Sequence, residues 1–357
     1  MPDHPLLTGI GAENLCNWRG EATILPPRLK YEMRPRYGPT VQWCGIPVTR
    51  LWRCGNRGNV ASVLIEKPSR GDFLPILDGG FSLQYSPLME YREGKGMVLF
   101  CQMDITGRSE NDPAGQTLAG NILRYVSAWK PAPRRKVIYV GDPVGRQHLE
   151  SAGISLTSYD AGSLSANHIL VVGEGGEQML ARDTTAIADW LKAGGNLVAV
   201  GLDEQQANAF LPLKVRMKEA EHISAYFEPF GFNSLFAGVG PADVHCREPR
   251  KLPLVSAPVT TIGDGVLAGA ENYNIVFCQL APWQFDSKQP QNVKRTFSRT
   301  AFLLARLLAN MGAASSTPVP QRFGSPVDTS KDEKRWLEGL YMDVPEEWDD
   351  PYRFFRW

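Results

Sequence analysis

The chain has 357 residues, enough for two compact units, and its 43% apolar and 21% charged residues are an ordinary balance for a protein that buries a core. Its 38 lysines and arginines equal its 38 aspartates and glutamates, so no bulk field gathers nucleic acid or an anionic membrane. No apolar run approaches the ~20 residues that cross a bilayer, and the opening residues have neither the basic nor the apolar region of a signal peptide.

The first block, Leu6 to Leu15, reads Leu-Leu-Thr-Gly-Ile-Gly-Ala-Glu-Asn-Leu. Residues 20–90 follow, a stretch rich in Trp, Arg, Gly and Pro that holds Trp43, Trp52, Arg53, Arg57 and Asn59 close together. Flat aromatics beside forked donors suit sugar rings and their hydroxyls, and they suit the sealing of an interdomain contact equally well. Cys44 and Cys54 flank a short β-like segment and are candidates to pair across a hairpin. Next comes the apolar strand Val98–Met103, then a loop with Asp104 and Asp112, then a helix through Ile122–Val126. The loop aspartates read as turn caps before they read as a carboxylate pair for glycoside hydrolysis.

After a Pro-rich linker at 131–135, strands and helices alternate. Val137–Val140, His168–Val172 and Leu197–Gly201 are short continuous apolar runs, each ended by a glycine turn. Between the last two, Asp183 or Thr184 is placed to cap a helix whose Ile187, Trp190 and Leu191 share a face, and Gly194-Gly195 ends it. Apolar strands alternating with helices predict a doubly wound, mostly parallel α/β sheet of the flavodoxin type.

The chain then repeats itself. Leu235–Val244 (Leu-Phe-Ala-Gly-Val-Gly-Pro-Ala-Asp-Val) matches the first block, with 229 residues between Gly9 and Gly238. Ile275–Leu280 matches Val98–Met103 at an offset of 177 residues, and Leu304–Leu308 is aligned with the helix at Ile122–Val126. The fall in offset gives the first copy about 52 extra residues, placed within 20–90. We therefore expect one complete unit over 136–313 and one N-terminally truncated copy over 1–130, followed by a linker and aromatic tail over 314–357. Upstream α/β core on a longer polypeptide is the expected partner of the first copy, and an exposed apolar face near Leu6–Ile10 would mark a missing partner.

No catalytic, cofactor or metal site is expected. Gly141-Asp142-Pro143 breaks the dinucleotide pattern after the first strand, and Gly173-Glu174-Gly175-Gly176 reads as a turn before an anion cradle. No serine or cysteine follows Gly201, His168 reads as structural, and Cys101 and Cys278 pack in strands as small hydrophobes.

The units resemble the class I glutamine amidotransferase-like fold, with Gly201-Leu202-Asp203 where that family's catalytic cysteine turn lies, which implies the fold without its chemistry. Leu6–Arg19 with Asn17-Trp18-Arg19-Gly20, Gly94–Pro113 with Gly94-Lys95-Gly96, and the tail Pro345–Trp357 resemble the C-terminal region of large glycoside hydrolase family 2-like sugar-binding proteins. That resemblance implies a non-catalytic accessory region in carbohydrate metabolism, with carbohydrate and oligomer contacts as further partners. No family catalytic glutamate carries over to this chain. The alternative is a stand-alone carbohydrate- or protein-binding module.

Overall fold

The computed structural model describes residues 1–15, 18, 29–34, 38–43, 46–48, 60–61, 65–79, 85–270, 272–285 and 291–317, with backbone alone over 29–34, 38–43, 46–48 and 291–295. In the N-terminal region, β1 (Leu29–Arg34), β2 (Gly38–Trp43) and β3 (Ile46–Val48) form an antiparallel ribbon. A second antiparallel sheet joins β4 (Ile65–Glu66), β5 (Phe73–Gly79), β6 (Tyr85–Glu93) and β7 (Gly96–Cys101), with β6 paired to the other three. The β6–β7 turn is Gly94-Lys95, where Gly94 at φ +59° supplies the left-handed residue that a tight hairpin needs. Helix α1 (Pro113–Ala128) starts on Asp112, whose carboxylate accepts from the Ala114 and Gly115 amides. The loop aspartate is thus a cap, as its position predicts.

Leu6, Leu7 and Ile10 are buried with Leu118 of α1, Ile76 and Leu77 of β5, and Leu88 of β6. The exposed face at Leu6–Ile10 that would mark a missing partner is not present: α1 and the antiparallel sheet cover these residues. Trp18 is also 2% exposed in this core, its indole donating to the Asn14 carbonyl.

The second region begins with β8 (Lys136–Val140), α2 (Pro143–Ser151), β9 (Leu156–Thr157), β10 (His168–Val172), α3 (Glu177–Leu180), α4 (Thr184–Lys192), β11 (Asn196–Val200) and α5 (Glu204–Phe210). It continues with β12 (Arg216–His222), β13 (Arg250–Ala257), β14 (Thr260–Ile262), β15 (Leu267–Ala270), β16 (Asn274–Cys278) and α6 (Gln291–Asn310). Seven strands form one sheet in the order β14-β15-β16-β11-β10-β8-β9. From β16 to β9 neighbours are parallel, while β15 and β14 add antiparallel strands at one edge. The region is therefore an α/β fold with a mostly parallel sheet flanked by helices.

Alternation along the strands builds a core on each face. Val137, Tyr139, Ile169, Val171, Val198 and Val276 point toward α2 and α6, meeting Leu149, Leu303, Leu304 and Leu307. Ile138, Val140, Leu170, Val172, Leu197 and Phe277 point the other way, onto Ile187, Trp190 and Leu191 of α4 and Phe210 of α5. Each such side chain, fully buried, is worth about 1.5–3 kcal/mol, which explains why these runs are apolar throughout rather than alternating. Helix α4 begins after Asp183 as expected, but that carboxylate accepts the Tyr159 hydroxyl at 3.1 Å and makes no cap bond.

Two corners of the chain have the same local geometry. Gly9 and Gly238 both sit at φ +76°. The Ile10 amide donates to the Leu7 carbonyl, and Val239 donates to Phe236, each at 3.0 Å. The Gly11 amide donates to the Asn14 side chain at 2.9 Å, and Gly240 donates to the Asp243 carboxylate at 2.8 Å. Asn121 of α1 donates to the Leu6 and Thr8 carbonyls, and Asn310 of α6 donates to Leu235 and Ala237. Asn121 and Asn310 are 189 residues apart, seven more than the offset between Ile122 and Leu304. Matching the helices by these asparagines therefore shifts them about two turns from the register read from their apolar residues, since a Leu-rich helix matches another at several registers.

Candidate functional site

In a doubly wound sheet, ligands bind beyond the carboxyl ends of the strands where the strand order reverses, here between β8 and β10. Tyr139 fills that place. A Cβ at Gly141, Gly145 or Gly173 would meet the Tyr139 hydroxyl, so the glycines admit the phenol rather than a ligand. The hydroxyl donates to Asp142 at 3.2 Å, and burial pushes its pKa far above the ordinary tyrosine range. Asp142 in turn accepts from the Gly145 amide and starts α2.

The next strand end is Gly201, at φ +64°, followed by Leu202, which is buried, and Asp203, which caps α5 in a reciprocal pair with Gln206. The turn thus presents neither thiol nor hydroxyl. Burial pushes the Cys278 thiol up to about 12 and Cys246 to about 11, so neither is a nucleophile. Cys101 and Cys278 point their Sγ at matching carbonyls, Met103 and Leu280. His168 accepts the Ser165 amide at 3.2 Å, a strand-start contact. Asp104 lies 3.3 Å from Arg108, and the Arg108 guanidinium also donates to the Trp18 carbonyl at 2.7 Å.

Two buried ionic clusters join the regions instead. Lys67 bridges Asp78 at 2.9 Å and Asp243 at 3.3 Å. Burial raises the Asp243 carboxyl to about 6, working against the attraction of Lys67. Lys67 itself is held above its ordinary value, because the two carboxylates outweigh its burial. Nearby, Asp72 accepts Arg306 on one oxygen and Arg134 on the other, each at 2.9 Å, with Asp72 and Arg306 both 1% exposed. Glu90, fully buried, accepts Nε and Nη2 of Arg92 at 2.7 and 2.6 Å, and its Oε1 lies 3.5 Å from His4 Nε2. Burial opposes ionisation of Glu90, yet His4 and Arg92 hold its pKa below the usual range.

Over the Asp72 cluster lies a cleft of about 740 Å³. One wall is the first corner and α1, through Thr8, Asn121, Arg124 and Tyr125; the other is Phe232–Ser234 with Asn310, and the linker closes it with Lys130, Arg134 and Arg135. Sequence reasoning missed this site, since its side chains come from segments far apart in the chain. The one signal available was the linker's paired arginines, which read as solvated spacer.

Of the residues proposed from sequence, Trp43 ends strand β2 as backbone, and its side chain lies outside the described residues. Trp52, Arg53, Arg57 and Asn59 also lie outside them, as do Cys44, Cys54 and the aromatic tail. Among the described residues no cluster of His, Cys, Asp and Glu is arranged to hold a metal ion. No helix among them is long and apolar enough to cross a membrane. No protein-family model matches the chain, and no curated protein matches it.

Proposed function

We propose that the chain is a non-catalytic accessory region of a multidomain, glycoside hydrolase family 2-like protein, built from a duplicated amidotransferase-like unit whose first copy lacks its parallel half. The region braces neighbouring domains or contributes to a glycan cleft. The observation that carries this reading is the similar place of β7 and β16 in their two separate sheets. Both follow an antiparallel hairpin, β5-β6-β7 in one case and β14-β15-β16 in the other. On its other side β16 takes β11 in parallel, whereas no described strand pairs with the other edge of β7. The matched corners at Gly9 and Gly238 and the two asparagines support the same reading, as does the order of the parallel strands, which is that of flavodoxin-like sheets.

In this reading the missing neighbour of β7 is a parallel strand from upstream α/β core, the natural cover for an open, hydrogen-bonding edge. Val98 on β7 and Leu123 and Val126 on α1 are the exposed apolar residues it would approach. The burial of Leu6–Ile10 beneath α1 favours the second reading, a stand-alone carbohydrate- or protein-binding module, because that corner is already closed within the chain.

A glycan array and a panel of aryl glycosides test the assignment. The accessory reading expects glycan retention that falls on Trp43→Ala or Trp52→Ala, with no hydrolysis. Hydrolysis by the chain alone would sink it, and tight glycan binding with a fully protected β7 edge would favour the stand-alone module.

A further inference from the structure

We propose that the cleft between the two matched corners binds a small ligand carrying a carboxylate or phosphate group. This inference stands apart from the accessory reading. Arg92, Arg124, Lys130, Arg134 and Arg135 line the cleft, and Asp72 is the single carboxylate of its lining among the described residues. Both oxygens of Asp72 are already taken, by Arg306 and Arg134. Glu90, just behind, is committed to Arg92.

Two of the remaining cations, Arg124 and Arg135, are positioned by neutral acceptors. Arg124 donates to the Asn121 side-chain oxygen at 2.5 Å, and Arg135 donates to the Met311 and Ala166 carbonyls at 2.5 and 2.9 Å. Such bonds fix a guanidinium without cancelling its charge. Behind the wall, the Nη2 of Arg306 is buried with no hydrogen-bond partner. Burial lowers the Arg306 pKa, outweighing the attraction of Asp72.

A concave site lined predominantly by one sign of charge concentrates counter-ions, and forked guanidinium groups match the oxygen pairs of carboxylate and phosphate. The volume, about 740 Å³, falls within the range of small-molecule sites. Tyr125 and Phe232 both pack against His4, at ring separations of 5.2 and 5.0 Å, which holds two flat walls in place for the body of the ligand.

Titration calorimetry on the full chain at low salt, with inorganic phosphate, glucuronate and glucose as separate probes, tests the site. Saturable binding of phosphate or glucuronate at one site per chain, weakening as salt rises, is expected, with none for glucose. Phosphate alone assigns a phosphoryl ligand, glucuronate alone a carboxylate, and both together their shared oxyanion chemistry. Arg124→Gln with Lys130→Gln changes two exposed positions outside the buried network, and should weaken binding about tenfold while leaving the melting temperature unchanged. Arg135→Lys, which keeps the charge but loses the fork, provides an independent variant. No saturable binding of either anion, equal binding of glucose, or undiminished affinity in both variants overturns the proposal.

Discussion

Asn121 stands to Leu6 and Thr8 as Asn310 stands to Leu235 and Ala237: each amide donates to two carbonyls of a glycine-containing corner, at 2.8–2.9 Å. One side chain thereby satisfies two backbone acceptors that the turn leaves without helix or strand partners. Removing it leaves both unpaired; the bond to Leu6 is buried and the other three are part-buried, so most cost less than the about 1–3 kcal/mol of a fully buried orphan. Asn121→Ala and Asn310→Ala should each lower stability by about 1–2 kcal/mol in denaturant titrations. A loss below about 0.5 kcal/mol at either position would show that water replaces the amide.

The Asp72–Arg306 pair behaves differently. Taking away Asp72 alone strands a buried guanidinium, so Asp72→Asn should destabilise by about 3–5 kcal/mol. Adding Arg306→Met to that background should recover most of the loss, because the stranded charge goes with it. A double-mutant cycle reads the coupling directly, and simple additivity of the two changes would contradict the burial of the pair.

Asp243 supplies a pH signature of defined sign. Burial lifts its carboxyl from 3.8 to about 6, so the folded state holds a proton that the unfolded state has released. Its contribution is complete below 3.8 and is lost as pH rises through about 6. His148 and His245 act in the opposite sense: burial lowers both from 6.5 to about 4, giving stability that is present above 6.5 and lost as pH falls through about 4. Comparing the chain with Asp243→Asn isolates the first effect. Relative to that variant, the native chain should lose stability between pH 4 and pH 7. A gap that widens in its favour over this range would reverse the sign.

Tyr139 closes the strand-end site by volume more than by its hydroxyl. Tyr139→Phe should be mild, about 1 kcal/mol for the bond to Asp142, whereas Tyr139→Ala should cost about 3–5 kcal/mol by leaving a cavity. Thermal melts of the two variants separate these contributions. Near-equal losses would mean that the hydroxyl bond, and not the filling of the glycine-lined space, holds this end of the sheet.

The parallel strands were legible because burial on both faces makes Val137–Val140 and Leu197–Val200 apolar without interruption. Strands β12 and β13 were not, since Arg216–His222 presents charged residues to solvent and carries no apolar period. Strands β5 and β6 carry prolines within Leu74-Pro75-Ile76 and Ser86-Pro87-Leu88, residues that weaken a strand pattern. The corner motifs were visible as a repeat, but their partners Asn121 and Asn310 were not, because a polar residue on an apolar helix gives no sign of what it caps. The cleft was beyond reach for a related reason: opposite charges such as Asp72 and Arg306 find each other only after the sheet and α6 are packed.

The central claim, that β7 is a strand awaiting a parallel neighbour, is tested most directly by amide hydrogen exchange on the isolated chain, comparing residues 96–101 with 274–278. The account predicts fast exchange for the β7 amides directed away from β6 and strong protection throughout β16, which lies between β11 and β15. Equal protection of the two strands would mean that the edge of β7 is already covered, and that the first region is not a truncated copy of the second.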